Sequence, residues 1–520
     1  MPSTTVGGSR RVLGWITHPF AGLGLLWVMG REGATDIALR LAPARSLPAR
    51  VLRILSLLKG GKARSRTSGT NLAIALKRLG PTYIKLGQIL STRADLIGED
   101  AASDLSALQD QLEPFDDRTA RRILTEALGR PVEDVFADFG PAFSAASVAQ
   151  VHFATLHSGE EVAVKILRPD IERRFVRELS FLRWAAGFAQ ALVPDLRRAR
   201  PVGIIDVLRE QTAMELDLRL EAAAADQMAR NFADRGTLRT PAPFWDLTSQ
   251  RVLVMARVEG TSIDERDLLR AQGHDLEAVL TNAATSFFEA VFEDGFFHGD
   301  QHAGNMFIDA EGKVVFVDFG IVGRLDWKGR VFLADLMNFL LEGDYDGLAR
   351  RYAEEGYLPR SASTQAFALA LRSVAEPIVN QPLEHVSFAR LLGQLLAMGR
   401  TFDMSLQPDL FLLQKNMLMA EGIARSLSPD INIWDIARPL VRDWMIEYRN
   451  PVAQLSGHAE TALAAAGRLP SMLEEAESAL KDLNAEMNRR RSAGSVWLGF
   501  ALAAVVGAGL MWLVLQATGG

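Results

Sequence analysis

Four polar landmarks in a fixed order restrict this chain to few folds. They are a lysine inside a β-rich run, an acidic helical stretch, a loop holding an aspartate and an asparagine, and a second aspartate where another β-rich run ends. The loop is His298-Gly299-Asp300-Gln301-His302-Ala303-Gly304-Asn305, and the second aspartate opens Asp318-Phe319-Gly320. Phosphoryl transfer needs positioning and charge neutralisation more than covalent chemistry, so it calls for a carboxylate at the acceptor, an Asn and an Asp on Mg2+, and a Lys on the phosphates. Asp300 stands ahead of Asn305 at the spacing of a kinase catalytic loop. Asp300 and Lys165 are therefore candidate catalytic residues, and Asn305 and Asp318 candidate metal ligands. His298 and His302, at i,i+4, also have the spacing of a zinc pair, but the glycine-bearing loop and the later Asp318 account for the region better.

The β-rich runs 148–156 and 161–167 flank the turn His157-Ser158-Gly159 and read as a hairpin. Lys165, in Val162-Ala163-Val164-Lys165, lies on its second strand, where a lysine is held rigidly. The acidic stretch 212–231 reads as one helix. On it Asp217 and Glu221 share a face at i,i+4 while Glu215 points elsewhere, so two acidic faces could serve two cationic partners. Glu221, followed by alanines that permit close approach, is the expected partner of Lys165. Upstream, Lys85-Leu86-Gly87-Gln88 puts Lys85 and Gln88 on one helical face. Gly87 there costs about 1 kcal/mol relative to Ala, which suggests a packing or functional reason.

An ordinary kinase covers its phosphates with a Gly-rich loop. Here that place, ahead of the hairpin, reads Phe143-Ser144-Ala145-Ala146-Ser147-Val148. Alanine disfavours φ > 0, so Ala145, Ala146, Ser147 and Val148 are expected to hold nucleotide differently. The site suits binding and hydrolysing ATP better than fast transfer to a protein.

Strands early and helices late indicate an α+β body with a sheet-bearing lobe and a larger helical lobe. The 520 residues include no cysteine, which excludes disulfides and thiolate zinc sites, and the net charge of −6 gives no reason to expect nucleic acid. Helical spacing is read over 46–64, over 71–98 with a turn or kink at Gly80-Pro81, and over 117–138. The expected divisions are an N-terminal apolar segment (1–45), a helical extension (46–116), a lobe with the sheet (117–258), a helical lobe (259–450), a helical linker (451–495) and a transmembrane helix (496–515). Residues 496–515 carry no charge and are long enough to cross a hydrocarbon core of roughly 30 Å. Arg489, Arg490 and Arg491 precede them and no Lys or Arg follows, which places the body in the cytoplasm. A bacterial inner membrane is favoured, with the mitochondrial inner membrane as the alternative. Residues 12–29 are apolar but interrupted, and read either as an interfacial segment or as a flap packed on the body.

Taken together, the Lys-x-Gly-Gln motif at Lys85, the Ala-rich loop, Glu215-x-Asp217, the loop from His298 to Asn305 and Asp318-Phe319-Gly320 resemble the UbiB family of atypical kinase-like proteins, the ADCK group of eukaryotes. The likeness spans about residues 70–330. It implies a protein-kinase-like two-lobed fold whose helical extension folds over the active site, with Lys85 and Gln88 blocking the protein-substrate groove and Glu215 and Asp217 facing the extension. It further implies ATP and Mg2+ as cofactors and an ATPase activity supporting ubiquinone biosynthesis at a membrane. Membrane lipid or quinone intermediates and quinone-biosynthesis enzymes would be its partners, and monomer and homodimer both stay open. It also implies a hinge beside the nucleotide at Val254-Met255-Ala256-Arg257, with Met255 among the ATP-binding residues; the chain departs from the family pattern at Ser144, where Ala is usual, and at Ala256 of that hinge, where Glu is usual. A small-molecule phosphotransferase and a nucleotide-binding scaffold without turnover are the competing readings. Replacing Ala145 by Gly is expected to alter the nucleotide preference, read in thermal-shift titrations, and to raise autophosphorylation; no change in either would count against the argument from the loop.

Overall fold

The computed structural model describes residues 22, 24–41, 47–91, 97–106, 112–192, 201–379, 387–402, 404, 409–428 and 433–448. The chain divides after Arg442 into two units, and both lobes and the cleft belong to the first. The expected linker and membrane segment, 451–515, lie outside the described residues. Among those residues no helix is long and apolar enough to cross a membrane.

An antiparallel four-stranded sheet forms the first lobe, in the order β1 (Phe136–Ala145), β2 (Ala149–Leu156), β3 (Glu161–Leu167) and β5 (Val252–Ala256). The short β4 (Leu238–Arg239) belongs to a second sheet with β6 (Thr261–Ser262), β8 (Met306–Ile308) and β9 (Val314–Phe316). A two-stranded ribbon joins β7 (Phe296–His298) to β10 (Val322–Arg324).

Strand alternation divides the first sheet between two cores. Val162, Val164 and Ile166 of β3, with Val252 and Val254 of β5, pack beneath the helix Asp117–Leu128 through Ile123 and Leu124. Leu167, Leu253 and Met255 belong to the other core. There they meet Ile84 and Tyr83 of the helix Pro81–Ser91, Leu216 and Ala222 of the acidic region, and Leu72 and Leu76 of the helix Ser68–Leu79. The N-terminal helices thus share a core with the sheet. The described part of the N-terminal apolar segment joins it through Ala34 and Ile37, with Leu25, Val28 and Met29 packed alongside, as a flap on the body would.

Three local expectations need correction. The helix expected over 117–138 ends at Leu128, because Gly129 takes a left-handed cap at φ 68° and Pro131 follows. The chain then enters β1, a strand whose register against β2 shifts at three places; Gly140 and Pro141 lie within it and obscure any alternation. The acidic stretch is two helices, Pro201–Glu215 and Leu218–Asn231. Leu216 and Leu218 are both buried, and the Leu218 amide donates to the Gln250 carbonyl at 3.0 Å. Asp217 caps the second helix instead of sharing a face with Glu221, its carboxylate accepting from the Arg219 amide. Gly80 breaks the upstream helical run as expected, at φ 106°, a conformation that glycine adopts without strain.

Ile84 is fully buried where the extension meets the sheet. Its replacement by Ala is expected to cost about 2–5 kcal/mol in urea unfolding; a loss well under 1 kcal/mol would show that the extension does not fold with the lobe.

Candidate active site

Lys165 leaves β3 on the face opposite Val164 and Ile166, so strand parity alone turns its ammonium inward. Its Nζ donates to Glu221 at 2.8 Å (Oε1) and 2.9 Å (Oε2), and to Asp318 Oδ1 at 2.8 Å. Glu221 is 5% exposed and Asp318 49%, so the pair is buried on one side and open to the cleft on the other. Glu221 reaches Lys165 because Ala222, Ala224 and Ala225 let its helix pack closely.

These charges shift one another. Burial pushes Glu221 up to about 7; Lys165 opposes that and Asp318 reinforces it. Burial also works against the Lys165 ammonium, but Asp318 and Glu221 outweigh it and hold the lysine above its usual range. Burial would likewise raise Asp318, yet Lys165 holds its carboxyl well below the usual carboxylate range. One cation shared by two carboxylates leaves Glu221 as the group that takes up a proton most readily.

Asp318 has φ 60°, a left-handed conformation that Asp tolerates better than most residues. Its carbonyl and that of Val317 both accept from His298 Nε2, at 2.9 and 3.0 Å. Nδ1 of the same ring accepts from the Asp300 amide at 3.1 Å. This network assigns the tautomer, with the proton on Nε2. Burial lowers the pKa of His298, and a protonated ring would turn Nδ1 into a donor facing a donor. His298 is therefore a structural strut between the two motifs, and its geometry leaves the zinc alternative no support. Among the described residues no cluster of three or more His, Asp or Glu could hold a metal ion.

The loop after β7 is tightly held. A Cβ on Gly299 would lie 2.6 Å from Ile321 Cγ2, 2.9 Å from Leu412 Cδ2 and 3.0 Å from the Ile321 carbonyl oxygen, so any side chain there requires these neighbours to shift. The Asn305 amide nitrogen donates to the Asp300 carbonyl at 3.1 Å, which fixes the orientation of the amide and leaves its oxygen free of that bond. Asp300 Oδ1 accepts from Lys415 Nζ at 2.8 Å, while His302 Nε2 stands 3.9 Å from Oδ2, beyond hydrogen-bond reach. Asn416 spans the loop backbone, donating to the His298 carbonyl at 2.7 Å and accepting from the Gln301 amide at 3.3 Å. Lys415 and Asn416 lie on the helix Asp409–Leu427, and the sequence reading missed both. No local spacing could have found them, because the contact to Asp300 spans 115 residues.

The Ala-rich turn is braced by its own backbone and by residues outside it. The Ala146 amide donates to the Ala149 carbonyl at 2.8 Å, the Ala145 carbonyl accepts from the Leu112 amide at 3.1 Å, and Arg168 Nε donates to the Ala146 carbonyl at 2.9 Å. Ser147 and Val148 are buried in the same turn, and Met255 is buried on β5. Lys85 forms an ion pair with Glu215, one of the two acidic faces expected to serve separate cations. Gln88 is half-buried one turn further along. Asp217 pairs with Arg219.

Comparison with known proteins gives three findings. Residues 107–352 match the ABC1 atypical kinase-like domain, and residues 371–432 match the UbiB helical domain. A protein of Marinobacter nauticus named "Probable protein kinase UbiB" is 38% identical over 78% of this chain and 76% of its own length. One of the same name from Pseudomonas aeruginosa is 36% identical over 93% of this chain and 88% of its own. A solved structure described as the complex of Rv3197 with erythromycin, from Mycobacterium tuberculosis, is 25% identical and covers 68% of this chain and 90% of its own, with a TM-score of 0.44.

The raised Glu221 gives a pH test. Its folded pKa of about 7 exceeds the ordinary 4.5, so its contribution to stability is complete below 4.5 and is lost as pH rises through about 7. Glu221→Gln is expected to flatten that part of the stability–pH curve, read as urea midpoints; an unchanged slope would show that the curve does not report Glu221.

Proposed function

The chain belongs to the UbiB family of ABC1 atypical kinase-like proteins, and from that premise we propose that it binds Mg·ATP between its lobes and hydrolyses it in support of ubiquinone biosynthesis at a membrane. The observation that carries this reading is the bridge from Lys165 to both Glu221 and Asp318. It sets a cation fixed by the sheet beside a carboxylate with an open side, and Asp300 and Asn305 complete the set of groups that phosphoryl transfer requires.

The residues present fit Mg2+. Asp318 and the Asn305 amide oxygen are two oxygen ligands, and Mg2+ at nucleotide sites takes few protein ligands, with phosphates and waters supplying the rest. The bound ion would neutralise charge on the phosphates. The chain's own residues do the remaining work. Lys165 holds phosphate oxygens while Glu221 keeps the ammonium in place. Asp300 orients a water and accepts its proton as the water oxygen bonds to the γ-phosphorus and the bridging oxygen leaves with ADP. The braced Ala-rich turn and the Lys85–Glu215 pair, with the extension packed on the face of the sheet that presents Lys165, support water as acceptor over a protein hydroxyl. Nucleotide turnover of this kind would serve to present lipid or quinone intermediates to biosynthetic enzymes, with residues 496–515 as the membrane anchor.

Asp318→Asn is expected to abolish Mg-dependent nucleotide binding and ATPase activity of the full chain, measured by titration calorimetry and phosphate release. Unchanged Mg·ATP affinity would sink the metal assignment. Quinone profiling of a deletion strain carrying wild type or Asp318→Asn tests the pathway. The variant is expected to leave the quinone pool depleted, and a normal pool in the bare deletion strain would favour a small-molecule phosphotransferase.

A further inference from the structure

The helix Asp409–Leu427 lies within the segment matching the UbiB helical domain, outside the segment matching the kinase-like domain. It nevertheless makes the closest side-chain contact to the Asp300 carboxylate among the described residues: Lys415 Nζ to Oδ1 at 2.8 Å. An ion pair this open to solvent adds little to stability, and Lys415 is 39% exposed. What sets it apart is its neighbour. Asn416 is fully buried and binds backbone on both sides of Asp300, at His298 and Gln301. The two residues grip the loop together, Asn416 fixing the main chain and Lys415 the carboxylate.

The helix is anchored for that task. Glu421, buried one and a half turns on, accepts from the Ser387 hydroxyl at 2.6 Å and the Ala389 amide at 3.0 Å. It thereby satisfies the start of the adjacent helix Phe388–Thr401, where backbone donors lack partners within their own helix. Gln414 Nε2 donates to the Ala389 carbonyl at 3.2 Å. Leu412 closes over Gly299 from the same helix. Residues 412, 414, 415, 416 and 421 therefore tie the catalytic loop to the start of a second helix of the helical domain.

We propose that Lys415 is a positioning residue for Asp300, and that the helical domain thereby completes the active site of the kinase-like domain. This rests on the reading of the cleft as an ATP-hydrolysing site. By engaging Oδ1, Lys415 fixes the carboxylate plane and leaves Oδ2 to meet the attacking water. Turnover then depends on the docking of a helix distant in sequence, and anything that shifts that helix acts on Asp300 directly.

The test uses the full chain in detergent or lipid, with Mg·ATP hydrolysis and Mg·ATP affinity measured for wild type, Lys415→Met, Lys415→Arg and Asp318→Asn. Lys415→Met is expected to lower kcat on the order of 10- to 100-fold, as misplacement of a catalytic group does, with KM and affinity for Mg·ATP little changed. Lys415→Arg, which keeps the cation, is expected to recover most of the loss. A wild-type kcat in Lys415→Met overturns the proposal. So does an equal loss in both variants accompanied by lower melting temperature, which would make the lysine merely structural. Wild type no more active than Asp318→Asn would instead overturn the ATPase reading, and the Lys415 proposal with it.

Discussion

A single ammonium held between two carboxylates, one on a helix and one just past the end of a strand, is the interaction on which the rest of this cleft depends. Removing charges from water is costly unless they are paired and further hydrogen-bonded. Lys165 meets that condition through Glu221 and Asp318 together. The arrangement tolerates little slippage: a shift of one residue in the pairing of β3 would send Lys165 among Val252, Val254 and Ile123 and bring an aliphatic chain to the cleft. The valines flanking Lys165 thus hold the lysine's direction as well as a core. The alanines after Glu221 do the equivalent for the acid, by letting its helix come near the sheet.

Much of this was legible because the chemistry is local. Alternation over 161–167 names a strand and puts Lys165 on one face of it. The spacing of Asp300 and Asn305 survives folding because both lie in one short loop. What escaped is what tertiary contact decides. The acidic stretch has no Pro or Gly to break it, and it breaks because Leu216 and Leu218 both seek the core around Asp217. β1 hides behind Gly140, Pro141 and repeated register shifts. Lys415 and Asn416 look like any polar pair on a helix until the fold sets them against the loop from His298 to Gln301.

The two cores of the first lobe give the N-terminal helices a structural part. Because Ile84, Leu76 and Leu72 share a cluster with Leu253, Met255 and Ala222, the face of the sheet that presents Lys165 is also the face the extension covers. The Lys85–Glu215 pair lies along this seam, six residues before Glu221 in the chain. A displacement of the extension would be felt at Met255 and at the helix that carries Glu221, through packing rather than through charge.

Gly299 carries a further consequence. The kinase catalytic-loop signature has an arginine immediately before its aspartate, and many kinases order their activation loops by pairing arginines with a phosphorylated residue. In this chain even a methyl group at that position would press on Ile321 and Leu412. A phosphate added to the segment after Gly320 would meet no arginine at position 299. The loop lacks the side chain that such an on-switch uses, and one of the contacts crowding that position comes from the same helix that delivers Lys415. If Lys415 positions Asp300 as proposed, the seating of a whole helix would stand where other kinases use a modification read by one side chain.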